Sequence, residues 1–217
     1  MGETAGKTQP DLLPLREFAD EVVRQRHEFS EFHFLFYGPQ ARADLLNAVA
    51  THFFGELFGI MLDRLVLGVS KLTDPAGSGS RTNLSLGYVH DGLVHDARYP
   101  KAEAEKLISE AMPVREHLEV WRSKRIAHND ASVALGLRDA GEVIPERIKE
   151  FYSVAERYLN LVQDKLGLGP CPISTPGIHG ADELVKALKS AMVFEQLFES
   201  DPVTYMDHLQ SSCYKDA

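Results

Sequence analysis

The feature that most constrains this fold is an apolar pattern with a helical period of about 3.6 residues that runs from Gln40 to Leu72. Both sides of the pattern are apolar between Phe53 and Leu67, which predicts a central and largely buried helix. The helix is expected to end at Thr73-Asp74-Pro75, because the residue before a proline resists the α conformation. One helix of this length favours a fold built by packing further helices around it.

The other segments also show helical periods rather than strand alternation. No Asn-Gly or Asp-Gly turn joins two strand patterns, so hairpins are not expected. The predicted helices cover Asp11 to His27, Asn83 to Val94, Lys101 to Ala127 with a kink at Pro113, Pro145 to Leu166, and Ala181 to Phe198. The sequence therefore predicts an all-α fold, a bundle of about four main helices.

Three stretches fall outside these helices. The aromatic run from Phe29 to Tyr37 alternates like a short strand, but we favour an apolar connector that packs on the core. Residues Ala76 to Ser80 predict a flexible loop because they are glycine and serine rich. The stretch from Ala131 to Ile144 is variable in character, and part of it could be extended.

Composition divides the chain into four parts. Residues 1–9 are polar and predicted to be disordered, and residues 10–168 form the helical bundle. A Pro- and Gly-rich linker covers residues 169–180. Residues 181–217 form a C-terminal helical extension, which we expect to pack on the bundle or on a partner.

Charge and motif content narrow the function classes. The chain has 23 Lys+Arg against 32 Asp+Glu, a net charge of −9, so any nucleic acid must bind at a local basic patch. Two cysteines cannot build a disulfide framework, which favours a reduced, cytoplasmic setting. Charged residues interrupt the apolar stretch from Phe53 to Leu72, so no membrane span is predicted.

Phosphate-loop, dinucleotide and zinc-protease motifs are absent, and the spacing of His90-Asp91 and His95-Asp96 matches no closed metal site. We expect neither a metal nor a cofactor.

The densest group of chemically active residues is the string WRSKRIAHND at residues 121–130. On an α-helix, Arg122, Arg125 and His128 recur at a spacing near three residues and would share one side. An imidazole can move protons near neutral pH, and an arginine offers a bidentate fork for a phosphate. This combination suits RNA cleavage by a neighbouring 2′-hydroxyl without a metal. Spacing alone leaves a purely structural alternative open, since helix C-termini favour basic residues and His can cap their carbonyls.

A resemblance to a known family bears on that choice. The string RSKRIAHND at residues 122–130 resembles the R-x(4–6)-H motif of the HEPN superfamily, and it is most similar to the RNKRIAHxD form of the AbiU-type abortive-infection subfamily. The string LVLGVSKLTDP at residues 65–75 resembles that subfamily's LSRLTDP segment, and NLSL at residues 83–86 is similar to the block that follows it. The three blocks occur in consistent order within residues 40–165.

The resemblance implies a HEPN-like four-helix bundle with additional N- and C-terminal helices. It also implies a homodimer in which two motifs form a composite, metal-independent ribonuclease site that leaves 2′,3′-cyclic phosphate ends. Carried onto this chain, Arg122 would bind and polarise the phosphate and His128 would act as acid and base. The residues expected to bind substrate around this pair are Ser123, Lys124, Arg125, Asn129, Asp130, Lys71 and Asp74.

The expected function is thus an endoribonuclease in phage defence or in a toxin–antitoxin system, with RNA as substrate and an antitoxin or other protein as a candidate partner. Residues 122–128 carry Arg122, Lys124 and Arg125 with no acid, so a small phosphate site is compatible with an acidic chain. The family often has Asn or Asp after the motif arginine, where this chain has Ser123. That departure keeps an alternative open, a non-catalytic HEPN domain that binds RNA, a nucleotide or a protein partner.

Overall fold

The protein is seen in a computed structural model that describes residues 11–78, 80–127, 142–170 and 180–211. The fold is all-α, as predicted. Its helices are α1 (Leu13–Phe36), α2 (Gln40–Thr73), α3 (Leu86–Leu93), α4 (Lys101–Ala111), α5 (Pro113–Val120), a π-helix (Trp121–Ala127), α6 (Pro145–Leu166), α7 (Gly180–Ser200) and α8 (Pro202–Ser211).

The described residues fall into two compact units. The first comprises those within Met1–Phe29 and Met61–Pro176, and the second those within Ser30–Ile60 and Gly177–Ala217. The predicted disordered start at residues 1–9 lies outside the described residues, as do residues 171–179 of the predicted linker. The domain bounds inferred from composition therefore stay a prediction.

The core of the first unit is built from helix faces with helical spacing. On α6, every third or fourth residue is buried, and fully burying one such large apolar side chain stabilises the fold by about 1.5–3 kcal/mol. The main buried side chains of this unit are Leu15, Phe18, Val22, Leu65, Val66, Val69, Leu72, Leu86, Val89, Leu118, Ile148, Phe151, Tyr158 and Val162. Helix α6 has the predicted bounds because Pro145 occupies its first turn and Gly167 ends it in the left-handed conformation, with φ of 74°.

Helices α1 and α2 approach closely in this unit at Gly68. A Cβ atom added to Gly68 would lie 2.7 Å from Oε1 of Gln25 on α1. The Gln25 side chain is buried, and its amide donates to Oε1 of Glu21. Gly68 is therefore the residue that lets the Gln25 side chain lie against α2.

We expect Gly68→Ala to destabilise the protein by about 1–3 kcal/mol, because the new methyl group overpacks a buried contact. Gly59 on the same helix has nothing within 4 Å of its ideal Cβ position, so it offers a matched control. Gly59→Ala should leave stability unchanged or raise it by up to about 1 kcal/mol, through helix propensity alone. Urea unfolding of both variants measures this difference, and equal free energies of unfolding would show that no close approach exists at Gly68.

Helix α1 corrects the prediction of a connector after His27. The helix continues to Phe36, so the run from Phe29 to Tyr37 is neither strand nor connector over most of its length. Phe29, Phe32 and Leu35 are buried and extend the three- to four-residue spacing of the preceding turns. The run contains so many aromatic residues that it satisfies an alternating and a helical pattern at once, which is why the alternation was misleading.

Helix α2 confirms the long helix but corrects its burial. The backbone leaves helical geometry at Ala50, where φ is −160° and ψ is 72°. Phe53 is 61% exposed and Ile60 is 65% exposed, so the prediction of a largely buried helix holds only for the C-terminal part. By length and composition alone α2 could cross a membrane, and 17% of its most apolar window is buried. One helix of this kind is weak evidence for a membrane span, since the mostly buried core helix of a soluble protein passes the same test of length and composition.

Two further observations concern the segments around α3 and α5. The stretch predicted as a loop contains the strand β1 (Gly77–Ser78), which pairs antiparallel with β2 (Arg81–Thr82). Strands of two residues are too short to produce an alternating pattern, so the sequence did not reveal them. At the position of the predicted kink, α4 ends at Ala111 and Pro113 begins α5, with Met112 between them in helical conformation.

Candidate functional site

The motif residues lie in a π-helix that directly follows α5. From Trp121 to Ala127 the backbone hydrogen bonds are wider than in an α-helix, linking residues five apart. The shared face predicted for Arg122, Arg125 and His128 assumed α-helical geometry, so the change to a π-helix removes its basis. His128, Asn129 and Asp130 lie outside the described residues. Segments of π-helix often occur at functional sites, because the wider turn redirects side chains.

Arg122 is held by Asp74, which comes directly after α2. Nη1 of Arg122 donates to Oδ1 of Asp74 at 2.7 Å, and Nη2 donates to Oδ2 at 3.3 Å. The arginine side chain is 32% exposed and the aspartate side chain 15%. Oε2 of Glu119, one turn earlier, lies 3.8 Å from Nη1. A two-point contact of this kind fixes the plane of the guanidinium as well as its position.

The neighbouring residue adds a second anchor. Nε1 of Trp121 donates to Oδ1 of Asp63 on α2 at 3.0 Å. Consecutive residues of the π-helix are thus tied to Asp63 within α2 and to Asp74 just beyond its end. These two contacts set the direction of the π-helix relative to the C-terminal part of α2.

Asp74 also begins a short segment whose backbone is held in place. Nδ2 of Asn83 donates to the carbonyl oxygen of Pro75 at 3.0 Å, and the backbone amide of Asn83 donates to the carbonyl of Ala76 at 2.9 Å. Ser85 caps α3 by accepting from the amide of Tyr88. The three blocks that carry the family resemblance therefore meet in space. The block at residues 65–75 contacts Arg122 of the motif block through Asp74, and it contacts Asn83 of the third block through Pro75.

Ile144, which comes just before α6, contacts His117 on α5. The backbone amide of Ile144 donates to Nε2 of His117 at 3.0 Å. Burial, assisted by the nearby charge of Arg147, lowers the pKa of His117 from its usual value of 6.5. His117 accepts this hydrogen bond only when Nε2 is unprotonated, so the contact requires the neutral imidazole.

The other predicted site residues are distributed as follows. Lys71 is exposed on the last turn of α2, and Ser123 is partly exposed in the π-helix. The backbone of Lys124 and Arg125 is described, but their side chains lie outside the described part of the structure. Sequence reasoning missed Asp63 and Glu119, because an acid on a long helix has no local signal that shows which base it faces.

The family model HEPN_AbiU2, whose description is AbiU2, matches residues 14–168. The chain belongs to the AbiU2 family of HEPN domains. No curated protein and no solved structure matches the chain. The AbiU2 match confirms the family inferred from the three sequence blocks. It covers the chain from the second residue of α1 to the end of α6, includes both residues of the Arg122–Asp74 contact, and ends before α7.

The residue types that ligate metals do not cluster in the described part of this AbiU2 domain. Among those residues, no group of three or more His, Cys, Asp or Glu side chains could hold a metal ion. His90, considered above as a ligand, instead contacts the hydroxyl of Tyr99 through Nδ1 at 2.8 Å. Tyr99 in turn lies 3.2 Å from the hydroxyl of Tyr158, and burial raises the pKa of Tyr99 to about 12. Both tyrosines therefore stay neutral at physiological pH.

The depressed pKa of His117 predicts how stability depends on pH. As the pH falls, His117 binds a proton near pH 6.5 in the unfolded chain, and only at a lower pH in the folded protein. The contribution of His117 to the free energy of unfolding is therefore fully present above pH 6.5 and is lost as the pH falls through the lower pKa of the folded state. Urea unfolding from pH 8 to pH 5 should show a steeper loss for wild type than for His117→Gln, which cannot titrate. Parallel curves for the two proteins would contradict this assignment.

Proposed function

We propose that this AbiU2-family protein is a metal-independent endoribonuclease that acts in phage defence or in a toxin–antitoxin system. The observation that carries the proposal is the two-point contact between Asp74 and Arg122. It holds the motif arginine in one orientation at a partly exposed position, as a fixed phosphate-binding group requires. We further propose that the protein works in the cytoplasm, without a membrane or a cofactor.

The contact leaves Arg122 able to bind a phosphate. A guanidinium has five N–H donors, and Asp74 uses one on each terminal nitrogen. Nε–H and one N–H on each terminal nitrogen are not used by Asp74, and the side chain reaches solvent. Because a carboxylate repels a phosphate, Asp74 acts in this proposal as a positioning residue, and Arg122 contacts the RNA.

The proposed reaction is an internal transesterification. The 2′-oxygen attacks the adjacent phosphorus, the P–O2′ bond forms, and the P–O5′ bond breaks. His128 accepts the 2′-hydroxyl proton, and His128 of the partner subunit donates a proton to the leaving 5′-oxygen. Arg122 neutralises the negative charge that develops on the phosphoryl oxygens. The products are a 2′,3′-cyclic phosphate and a 5′-hydroxyl, and the site is complete only in a homodimer.

An acidic protein can bind RNA in this way if the contact is local. Residues 122–128 hold three basic residues and no acid, while the whole chain has a net charge of −9. Repulsion by the remaining surface would limit binding to a few phosphates, and the substrate-binding roles of Lys71, Ser123, Lys124, Arg125, Asn129 and Asp130 belong to this proposal. Affinity for RNA should then depend on salt with a shallow slope, of about −0.7 per phosphate contacted.

A second candidate rests on Ser123, which replaces the Asn or Asp that often follows the motif arginine. A serine hydroxyl is a shorter hydrogen-bonding group, so it can fail to hold the catalytic imidazole. The domain would then bind RNA, a nucleotide or a protein partner, such as an antitoxin, without turnover. Under this candidate, Arg122 and Arg125 would support binding, and no RNA would be cleaved.

The two candidates are separated by one substrate comparison. The full-length protein is incubated in EDTA with a single-stranded RNA pool and with the same pool carrying 2′-O-methyl groups. We expect cleavage of the first pool and none of the second, because the methyl group removes the nucleophile. Cleavage of both pools would rule out attack by the 2′-hydroxyl, and binding without cleavage of either would favour the second candidate.

A further inference from the structure

Trp121, the first residue of the π-helix, has a directional contact with α2. Its indole Nε1 donates to Oδ1 of Asp63 at 3.0 Å, and both side chains are partly buried. A hydrogen bond to a carboxylate is about twice as strong as one between neutral groups, and partial burial limits competition from water. The contact therefore fixes the direction of the indole ring, which apolar packing alone would not do.

The contacts of Trp121 and Arg122 reach toward opposite ends of the C-terminal part of α2. Asp63 lies ten residues before Thr73, where the helix ends, and Asp74 follows, so about 15 Å of helix axis separates the two aspartates. The Cα atoms of consecutive residues are only about 3.8 Å apart, so the side chains of Trp121 and Arg122 diverge to reach both carboxylates. A slide of the π-helix along α2 would therefore stretch one contact or the other.

The contact with Asp74 holds the guanidinium of Arg122 but not the backbone behind it. An arginine side chain has several rotatable bonds, so one position of the guanidinium is compatible with more than one position of the backbone. A tryptophan side chain has fewer torsions, so its anchored ring restricts the backbone more strongly. Because π-helices are rare, the segment from Trp121 to Ala127 depends on contacts outside its own hydrogen bonds. Of the two contacts, that of Trp121 is thus the one that restricts the backbone of the π-helix.

We propose that Asp63 is a positioning residue, which acts through Trp121 to hold the π-helix where Arg122 meets the scissile phosphate. The effect on cleavage rests on the proposed ribonuclease function, whereas the coupling of Asp63 to the guanidinium of Arg122 does not. His128 follows the π-helix directly in the sequence, so a shift of this segment would displace both members of the proposed pair. Asp63 contacts no RNA in this role, so its loss should slow cleavage without weakening RNA binding.

Single-turnover cleavage of RNA by the full-length protein tests the catalytic part. Asp63→Leu removes the acceptor at similar side-chain size, and cleavage should fall at least about tenfold, since a small misplacement of a reacting group slows a reaction strongly. Asp63→Asn keeps an acceptor oxygen and should stay within about threefold of wild type. Trp121→Phe removes the N–H donor and should match Asp63→Leu. Since both changes break one contact, the double variant Asp63→Leu/Trp121→Phe should be no slower than the slower single variant.

Nitrogen–proton correlation spectra test the coupling without reference to cleavage. The chain has one tryptophan, so the indole signal belongs to Trp121, and the Nε–H signal of Arg122 is the one missing from Arg122→Lys. Asp63→Leu should shift both signals. Asp20→Leu, which replaces an exposed acid on α1, should shift neither and should cleave at the wild-type rate. If wild type cleaves no RNA while both signals shift, the proposed function fails and the coupling stands.

Wild-type cleavage by Asp63→Leu and Trp121→Phe, or an unshifted Arg122 signal in Asp63→Leu, would overturn the proposal. So would additive losses in the double variant, or a loss of RNA affinity in parallel with the rate, since a residue that only positions Arg122 does not bind RNA. Should circular dichroism show Asp63→Leu to be unfolded, Trp121→Phe carries the same predictions for the rate and for the Arg122 signal. It removes the same hydrogen bond and keeps an aromatic ring in place.

Discussion

Replacing Arg122 with alanine should lower RNA cleavage by about 10²–10³-fold, since it removes the group that stabilises charge on the phosphate. His128→Ala should lower cleavage by about 10²–10⁴-fold, because it removes proton transfer to and from the RNA. Single-turnover cleavage of a labelled RNA at saturating protein measures both. Arg16→Ala and His95→Ala replace exposed residues of the same types outside the motif, and they should cleave at the wild-type rate.

Folding must be separated from chemistry in these variants. Arg122→Ala leaves the partly buried carboxylate of Asp74 without this partner, so some loss of stability is expected. Arg122→Lys keeps the positive charge but cannot make the two-point contact, because an ammonium has no planar fork. We expect Arg122→Lys to be folded by circular dichroism and still impaired by at least tenfold. Wild-type cleavage by Arg122→Lys or by His128→Ala would exclude the proposed site.

Replacing Asp74 with asparagine should reduce the rate of cleavage by about 10²-fold while RNA affinity stays the same or rises slightly. The amide keeps the shape of the side chain but loses one acceptor and the charge, so the guanidinium of Arg122 is no longer held in one orientation. Misplacement of a reacting group by about 1 Å can cost this much in rate. The loss of a negative charge beside the site favours RNA binding. Cleavage rate and binding anisotropy, measured on the same RNA, reveal this split.

Glu119→Gln is the matched control for Asp74→Asn. Glu119 lies 3.8 Å from Arg122 and makes a single, exposed contact, so its replacement should change the rate by less than about threefold. Faster cleavage by Asp74→Asn would mean that Asp74 masks Arg122 instead of positioning it. A loss of RNA binding in parallel with the rate would mean that Asp74 contacts the RNA itself.

Most of the helices could be predicted because residues in the immediate sequence determine where they begin and end. Pro145 and Gly167 mark the ends of α6, and the Asp74-Pro75 pair marks the end of α2. The C-terminal half of α1 could not be predicted in the same way, since the aromatic run after Phe29 fits two periods. The exposure of Phe53 and Ile60 could not be predicted from the sequence either, because a hydrophobic pattern shows that a helix face is apolar but not what covers it.

The sequence nominates the residues of the proposed site and predicts that Asp74 lies beside the motif helix, but the hydrogen bonds between them could not be predicted. The resemblance nominated both Arg122 and Asp74, yet the hydrogen bond between positions 48 apart depends on tertiary packing. No sequence pattern predicts the contact of Trp121 with Asp63, and none distinguished the π-helix from an α-helix at residues 121–127. His128 was nominated from its motif and stays a prediction.

The chemistry of the RNA ends tests the central claim most directly. Wild-type protein is incubated with RNA in EDTA, and the new ends are identified by mass spectrometry. Internal transesterification by Arg122 and His128 predicts 2′,3′-cyclic phosphate and 5′-hydroxyl ends, formed at least tenfold more slowly when Arg122→Lys is used. Ends with 3′-hydroxyl and 5′-phosphate groups, or RNA that stays intact with wild-type protein, would contradict it.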